Sequence, residues 1–339
     1  MRAVWITRLG GPEVLAVRET PSPLPGPGEI LVRVRASSVG FAEVMARQGT
    51  YPLAPKPPCI VGYDASGIVE AHGPGVKVPP IGARVMVICH FGAQADTVAV
   101  PTQFALPIPE DLSFEEAACI PWNYLVAYHL IFRVARVRPG ERVLVNMAAG
   151  GVGMAAVQLL RTIPDTTTFG TASSSKHDVL RAEGCQHAID YRTFDYVNEV
   201  KKLTHGEGLD VVLDPLGGND WRKGYDLLRP AGRLVAFGVA NMMTGERRNL
   251  ATMVRQVLRT PRFSPFNLIE MNRSVAGVST GRFWSDPQLL VETLTAAVEV
   301  CRRSNLRPRV DSVHPFEQAA SAHRRIESRS NIGKVVLVP

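Results

Sequence analysis

The feature that most constrains this chain is residues 142–159, where an apolar run passes through a glycine-rich turn into a helical pattern. Residues 142–147 predict a buried strand and residues 152–162 a helix. Such a turn places free helix N–H groups where a pyrophosphate binds, so we predict dinucleotide binding. Ala148 replaces the first glycine of the usual G-x-G-x-x-G pattern, and a purely structural turn is the alternative. The predicted phosphate-binding residues are Gly150, Gly151, Val152 and Gly153.

The next strand pattern indicates which dinucleotide fits. Residues 166–171 predict a β-branched strand ending at Thr171, and no Asp or Glu follows it to receive a ribose 2′-hydroxyl. Ser173 and Lys176 follow instead, and Tyr191 ends the strand after that. Hydroxyls and a cation suit a 2′-phosphate, so we predict a preference for NADPH over NADH, with Thr171, Ser173, Lys176 and Tyr191 among the cofactor-binding residues. The alternative is that Lys176 is an ordinary solvated residue.

Strand and helix patterns alternate from about residue 125 onward. Such alternation predicts an α/β fold with a doubly wound parallel sheet. Gly217 and Gly238 follow two of the strands, at the edge of the sheet that faces ligand, and we predict that both contact the cofactor. The predicted elements are 142–147, 152–162, 166–171, 176–183, 187–190, 194–204, 210–214, 219–228 and 233–238.

The first 120 residues predict a β-rich domain of short strands separated by turns. The proline-rich residues 21–28 are interpreted as a rigid connection between strands. Residues 332–338 predict a terminal strand that returns to this first domain. The predicted domains are 1–124 with 282–339, and 125–281; the predicted early strands are 15–19, 29–36, 67–71, 84–88 and 94–100.

Composition and charge exclude several classes of protein. The net charge is +7, but Lys and Arg are spread along the chain and no nucleic-acid-binding motif occurs, so we predict no nucleic-acid partner. The N-terminus shows no signal-peptide pattern, and no apolar run reaches the roughly 18 residues of a membrane span. We therefore predict a cytoplasmic protein without a transmembrane segment.

The five cysteines are scattered and form no C-x-x-C pair. No His lies at ligand spacing from any of them. We predict that they are reduced and that the protein holds no metal.

With these features in place, the chain resembles the zinc-free quinone-oxidoreductase branch of the medium-chain dehydrogenases/reductases. Within that branch it is most similar to the vesicle amine transport protein group. The resemblance covers essentially the whole chain. It is carried by residues 10–15, 25–30, 147–153 and 214–218, and for the closer group by residues 45–49, 169–173, 244–250 and 311–317.

The resemblance implies a Rossmann domain, a GroES-like catalytic domain, and NADPH-dependent reduction of quinones or α,β-unsaturated carbonyls. It also implies that Lys176, Tyr191 and Arg329 hold the 2′-phosphate. Tyr63 stands where zinc-dependent relatives have a histidine, which implies that metal binding is lost.

The chain departs from this branch at two positions. Gly40 replaces the asparagine of an Asn-Phe-Ala-Asp pattern, and Val126 replaces the threonine of Thr-Ala-Tyr. Both lost polar groups belong beside the nicotinamide, so we expect an altered substrate or weak catalysis. The predicted substrate-pocket residues are Gly40, Phe41, Met45, Phe91 and Val126.

Two tyrosines are the predicted catalytic residues. Tyr51 matches a tyrosine at the family's cleft and would orient a carbonyl or relay a proton. The alternative is that it packs under Pro52. Tyr124 is a similar candidate for the pocket wall.

A basic amphipathic stretch fills residues 242–271. It can pack on its own domain or on a dimer partner, cover the cleft, or contact an anionic membrane surface peripherally. The apolar residues 274–279 predict an edge strand that joins a homodimer.

Three functions stay open at this point. The first is a quinone or enone reductase, and the second is a biosynthetic enoyl reductase or a reductive rearrangement enzyme. The third is a nucleotide-binding vesicle-type protein with weak catalysis.

Overall fold

The computed structural model describes residues 1–243, 245–246 and 248–339, so Thr244 and Arg247 of the basic stretch lie outside the described residues. The chain forms two compact units. Unit 1 comprises Met1–Leu125, Gly245–Arg248 and Trp284–Pro339, and unit 2 comprises Val126–Thr244 and Asn249–Phe283.

The strands are β1 Arg2–Ile6, β2 Leu15–Glu19, β3 Glu29–Val39, β4 Cys59–Ile60, β5 Asp64–His72, β6 Arg84–Ile88, β7 Thr97–Pro101, β8 Ala105–Pro107, β9 Arg142–Val145, β10 Thr167–Ala172, β11 His187–Asp190, β12 Leu209–Asp214, β13 Leu228–Ala236, β14 Ser274–Gly277, β15 Val310–Pro315 and β16 Lys334–Val338. The α-helices are α1 Phe41–Arg47, α2 Phe114–Ala118, α3 Pro121–Tyr128, α4 Gly151–Leu160, α5 His177–Ala182, α6 Tyr196–Leu203, α7 Asn219–Asp226, α8 Leu250–Arg259, α9 Pro265–Met271, α10 Pro287–Arg303 and α11 Ala319–Glu327.

Unit 2 is built on a parallel sheet of six strands in the order β11-β10-β9-β12-β13-β14. The first strand in the chain, β9, lies next to the fourth, β12, so the winding direction of the sheet reverses between them. Both strands are nearly continuous apolar runs because parallel strands are covered on both faces. Val143, Leu144, Val212 and Leu213 are fully buried. The predicted doubly wound α/β fold is confirmed.

Unit 1 contains two mainly antiparallel sheets. The larger has the order β15-β16-β3-β5-β6-β8, with β7 also paired to β3, and the smaller has the order β2-β1-β4. Strand β3 alternates buried Ile30, Val32 and Val34 with exposed Arg33 and Arg35, which is the period of a strand with one face toward the core. Strand β16 pairs with β3, so the predicted return of the C-terminus to the first domain is seen.

One predicted strand in unit 1 starts later than expected. The sequence predicts one strand over residues 94–100, but β7 begins at Thr97. Gln94 donates its backbone N–H to Val61 O and accepts from Val4 N–H instead, and Ala95 bridges to Ala3. These non-local hydrogen bonds take residues 94–95 away from β7.

The basic stretch forms the two helices α8 and α9, and neither has a buried residue. Phe263 and Leu268 are partly buried against the core of unit 2. Among the described residues, no helix combines the length and apolarity that spanning a membrane requires.

Candidate functional site

The glycine-rich turn follows β9 and ends at Gly150, the N-cap of α4. Gly153 packs directly on the turn: a Cβ atom there would lie 2.3 Å from Met147 O and 2.8 Å from Ala148 Cα. Met147 itself has a φ of 55°, a strained value for a non-glycine residue. The first N–H groups of a helix have no partner inside it, so the N-terminus of α4 is suited to bind an anion.

The turn is tied to the neighbouring strand β10. The backbone N–H of Met147 donates to Thr171 Oγ1 at 3.1 Å, and Ala148 N–H donates to Thr171 O at the same distance. Thr171, predicted as a cofactor residue, therefore supports the turn from behind through its buried side chain.

The predicted 2′-phosphate residues of unit 2 occupy the ends of β10 and β11. Ser173 is the N-cap of a short 3-10 turn that contains Lys176; Lys176 is partly exposed and Tyr191 is exposed. Arg329 belongs to unit 1, where it follows α11 with a φ of 54°.

Asp190, an acidic residue that the sequence analysis missed, lies beside the predicted 2′-phosphate residues of unit 2. Asp190 ends β11 and stands in register with Ala172, the last residue of β10. Its carboxylate accepts from Arg192 N–H at 3.0 Å and from Thr193 Oγ1 at 2.9 Å. The backbone hydrogen bond from Arg192 lowers the pKa of Asp190, so the group is ionised. The signal in the sequence is an Asp at the end of the following strand.

Two more predicted cofactor residues mark where the loops after β12 and β13 approach each other. Gly217 has a φ of 76°, and a Cβ there would lie 3.2 Å from Val239 Cα. A Cβ at Gly238 would lie 2.8 Å from Pro215 O. Both positions therefore need glycine for close backbone approach at the ligand-facing edge of the sheet.

In unit 1, the predicted residues Tyr51 and Phe91 are brought together by Tyr63. The ring centroids of Tyr63 and Phe91 are 4.8 Å apart, and those of Tyr51 and Tyr63 are 6.3 Å apart, edge to face. Tyr63 also stacks on Trp122 at 4.9 Å. Tyr51 therefore belongs to an aromatic wall. Burial raises its pKa, so its hydroxyl stays protonated at neutral pH and can donate a hydrogen bond.

The predicted pocket residues Phe41 and Met45 lie in α1, the helix that follows β3, and Gly40 immediately precedes it. Gly40 is its N-cap, and its N–H donates to Glu43 Oε2 at 2.9 Å. A Cβ at Gly40 would lie 2.8 Å from that oxygen and 3.3 Å from Lys334 Nζ. The side chain of Glu43 therefore occupies the space that an asparagine at position 40 would need.

Glu43 is a second residue that the sequence analysis missed. It is 1% exposed, and burial raises its pKa to about 7, although Lys334 opposes the shift. Lys334 Nζ donates to Asn123 Oδ1 at 3.3 Å. Nearby Asp64 accepts from the Ser38 hydroxyl and, at 3.3 Å, from Trp122 N–H. The only signal in the sequence is a carboxyl residue three positions after a helix N-cap.

The predicted site residues Tyr124 and Val126 both lie in α3. Both are buried in α3, but they are two residues apart and therefore project from different sides of that helix. Tyr124 belongs to unit 1 and Val126 to unit 2.

Comparison with known proteins places these two units in a family. Residues 26–110 match the alcohol dehydrogenase GroES-like domain, and residues 183–337 match the zinc-binding dehydrogenase domain. The chain is 43% identical over 341 residues to the synaptic vesicle membrane protein VAT-1 homolog of Rattus norvegicus, covering 100% of this chain and 84% of the rat protein. It is 31% identical over 343 residues to a 2-haloacrylate reductase of Burkholderia sp., covering 99% of this chain and 98% of that protein.

A solved structure gives the same result. The Escherichia coli quinone oxidoreductase complexed with NADPH matches with a TM-score of 0.85 at 28% identity, covering 100% of each chain. A Rossmann-type parallel sheet and a GroES-like antiparallel unit define an oxidoreductase of the medium-chain type. The chain belongs to the medium-chain dehydrogenase/reductase superfamily and, within it, to the family of the VAT-1 homologs.

Proposed function

We propose that this protein is an NADPH-dependent, zinc-independent reductase that transfers hydride to a quinone or an α,β-unsaturated carbonyl compound. The observation that carries the proposal is the glycine-rich turn into α4, where Gly153 is in contact with the turn's backbone. The reductase names of the Burkholderia and Escherichia coli proteins support it.

In this proposal the turn and the first residues of α4 bind the pyrophosphate. Ser173, Lys176 and Tyr191 hold the 2′-phosphate through hydroxyl and cationic groups. When bound, NADPH supplies the hydride that reduces the electrophilic carbon. The hydroxyl of Tyr51, which is protonated at neutral pH, donates a hydrogen bond to the substrate carbonyl.

Zinc independence is part of the proposal and rests on the donor groups present. By the resemblance to the zinc-free branch, Tyr63 replaces the histidine of zinc-dependent relatives, and Tyr63 is buried. All five cysteines are buried, and burial raises the pKa of their thiols, for example to about 12 for Cys89. A structural zinc site requires four protein ligands grouped around one ion, and a catalytic site requires three. Among the residues that the structure describes, no three His, Cys, Asp or Glu side chains are grouped as metal ligands.

The test is NADPH oxidation against a panel of quinones, enones and enoyl thioesters. Turnover of an enoyl thioester alone would favour the biosynthetic enoyl reductase instead. Cofactor choice is tested by fluorescence titration, with NADPH expected to bind at least about tenfold more tightly than NADH. Lys176→Ala should narrow that ratio, and Lys202→Ala, which removes an exposed lysine of α6, should not. Equal affinities of the parent protein for NADPH and NADH would contradict the proposed preference for NADPH.

A second candidate function is favoured by α8 and α9. Leu258 is 81% exposed and Phe266 84% exposed, and exposed arginines, including Arg255 and Arg259, accompany them. Apolar and cationic side chains together suit peripheral contact with an anionic membrane surface. Sedimentation with anionic and with neutral vesicles tests this proposal. Leu258→Asp replaces an exposed apolar side chain of α8 with an acidic one and should abolish binding to the anionic vesicles.

A homodimer joined through β14 is also proposed. This strand ends the order of the parallel sheet, where a second copy can pair. Light scattering at micromolar concentration tests it, and a monomer would remove the claim. The cytoplasmic location stays a prediction.

A further inference from the structure

A buried hydrogen bond links the two strands between which the parallel sheet reverses its winding direction. Asn146 follows β9 and Asp214 ends β12, and Asn146 Nδ2 donates to Asp214 Oδ2 at 2.8 Å. Both residues are 0% exposed. In a doubly wound sheet, the crevice that receives the ligand opens at this reversal, outside the carboxyl ends of the strands.

The other oxygen of Asp214 holds the loop that follows β12. Asp214 Oδ1 accepts from Leu216 N–H at 2.6 Å and from Gly217 N–H at 3.2 Å. This loop in turn accepts from the loop after β13, through Ala240 N–H to Pro215 O at 2.9 Å. One carboxylate therefore fixes the loop after β12, which in turn is bonded to the loop after β13.

The Asn146 side chain carries the connection to the glycine-rich turn. Asn146 Oδ1 accepts from Thr171 Oγ1 at 3.0 Å, and Thr171 Oγ1 accepts from Met147 N–H at 3.1 Å. Met147 lies in the turn and has a strained φ of 55°. The hydrogen bonds thus run from the turn through Thr171 and Asn146 to Asp214.

Taken together, the three hydrogen bonds require a carboxylate at position 214. Three N–H groups point at the two oxygens of this side chain. An ionised aspartate can accept all three hydrogen bonds, whereas an asparagine, with a single accepting oxygen, cannot. An asparagine at this position would aim one of its own N–H groups at the N–H group of Asn146, and two facing donors leave buried groups unpaired. Burial raises the pKa of Asp214 to about 6, while its N–H donors oppose the shift. The group is therefore mainly ionised at neutral pH.

We propose that Asp214 is a positioning residue for the dinucleotide, holding the glycine-rich turn and the loop of residues 215–218 in their binding arrangement through Asn146 and Thr171. The inference rests on the proposed NADPH binding. It assigns no contact between Asp214 and the cofactor.

A reciprocal exchange tests the proposal. Asp214→Asn places two donors face to face, and Asn146→Asp places two carboxylates face to face. The double variant Asn146→Asp/Asp214→Asn gives every donor an acceptor again. The new amide at position 214 donates to the new carboxylate at position 146, which also accepts from Thr171, and the amide oxygen accepts from Leu216 and Gly217. Net charge is unchanged in the double variant.

The expected result is a dissociation constant for NADPH raised at least about tenfold in each single variant, with recovery to within about threefold of the parent in the double variant. KM for NADPH should rise in the single variants, while kcat at saturating NADPH stays within about threefold of the parent. Urea titration establishes that each variant is folded under the binding conditions. A merely structural role would lower the unfolding midpoint and leave the dissociation constant unchanged.

If a single variant does not fold, Thr171→Val serves in its place. It removes the hydroxyl between the turn and Asn146, and the dissociation constant should rise about threefold to tenfold. Unchanged NADPH affinity in a folded Asp214→Asn variant, or no recovery in a folded double variant, would overturn the inference alone. Failure of the parent protein to bind NADPH would overturn both the proposed function and this inference.

Discussion

The sharpest test of the glycine-rich turn is Gly153→Ala. The new Cβ would lie 2.3 Å from Met147 O and 2.8 Å from Ala148 Cα, and both are backbone atoms that cannot rotate away. Overpacking of this kind costs about 1–3 kcal/mol. Replacing glycine with alanine inside a helix stabilises the folded protein by about 0.5–1 kcal/mol, which offsets part of this cost. Backbone contacts this short place the cost of overpacking at the upper end of its range, so we expect a net loss of about 2 kcal/mol in the free energy of unfolding.

The same displacement opens the turn that binds the pyrophosphate. We expect NADPH affinity to fall at least about tenfold, which corresponds to ~1.4 kcal/mol. Urea unfolding measures the stability, and fluorescence titration of NADPH measures the affinity under conditions where the variant is folded.

Two alanine variants serve as controls. At Gly150 a Cβ would approach only Met147 O, at 3.3 Å, so Gly150→Ala should keep its stability to within about 0.5 kcal/mol. At Gly277 a Cβ would meet no atom within 4 Å, so Gly277→Ala should change neither quantity. A Gly153→Ala protein with parental stability and parental NADPH affinity would refute the reasoning.

The remaining predictions concern unit 1 and metal. Gly40→Asn alone should lose about 1–2 kcal/mol of stability because Glu43 and Lys334 fill the space, and Gly40→Asn/Glu43→Asp should recover part of it; equal urea midpoints would contradict this. The pKa of Glu43 is about 7 in the folded chain against 4.5 unfolded, so the parent should lose stability relative to Glu43→Gln as pH rises through that interval, by up to ~3 kcal/mol; a pH-independent difference would argue against it. Dialysis against a strong chelator should leave NADPH oxidation unchanged, and stoichiometric zinc in the purified protein would speak against zinc independence.

The sequence best predicts those helices and strands whose pattern is contained in one short stretch of the chain. The path from β9 through the glycine turn into α4 is encoded within residues 142–160, and the elements formed there start and end within two residues of the predicted bounds. The apolar pattern of β12 similarly identified a buried strand. These elements depend on short-range patterning that a single sequence contains.

What could not be predicted depends on which distant residues meet. Asp190 lies beside the predicted 2′-phosphate residues only because β10 and β11 pair in a particular register. The link between Asn146 and Asp214 crosses 68 residues of chain. Glu43 faces the charge of Lys334, which comes almost 300 residues later in the sequence. No pattern within a short stretch of sequence predicts which distant residues will meet. These pairings nevertheless determine the electrostatics of the candidate site.

The pairing of β16 with β3 also constrains the order in which the protein folds during synthesis. Val335 pairs with Val39 and Leu337 with Ser37, whereas all six strands of unit 2 lie within residues 142–277. The sheet of unit 2 can therefore form on the ribosome while β3 still lacks the neighbour on one of its sides. Long-range pairing of this kind is slow, and an unpaired strand edge exposes the nascent chain to aggregation. Truncation before residue 334 should consequently leave unit 1 dependent on chaperones, although the parallel sheet is complete.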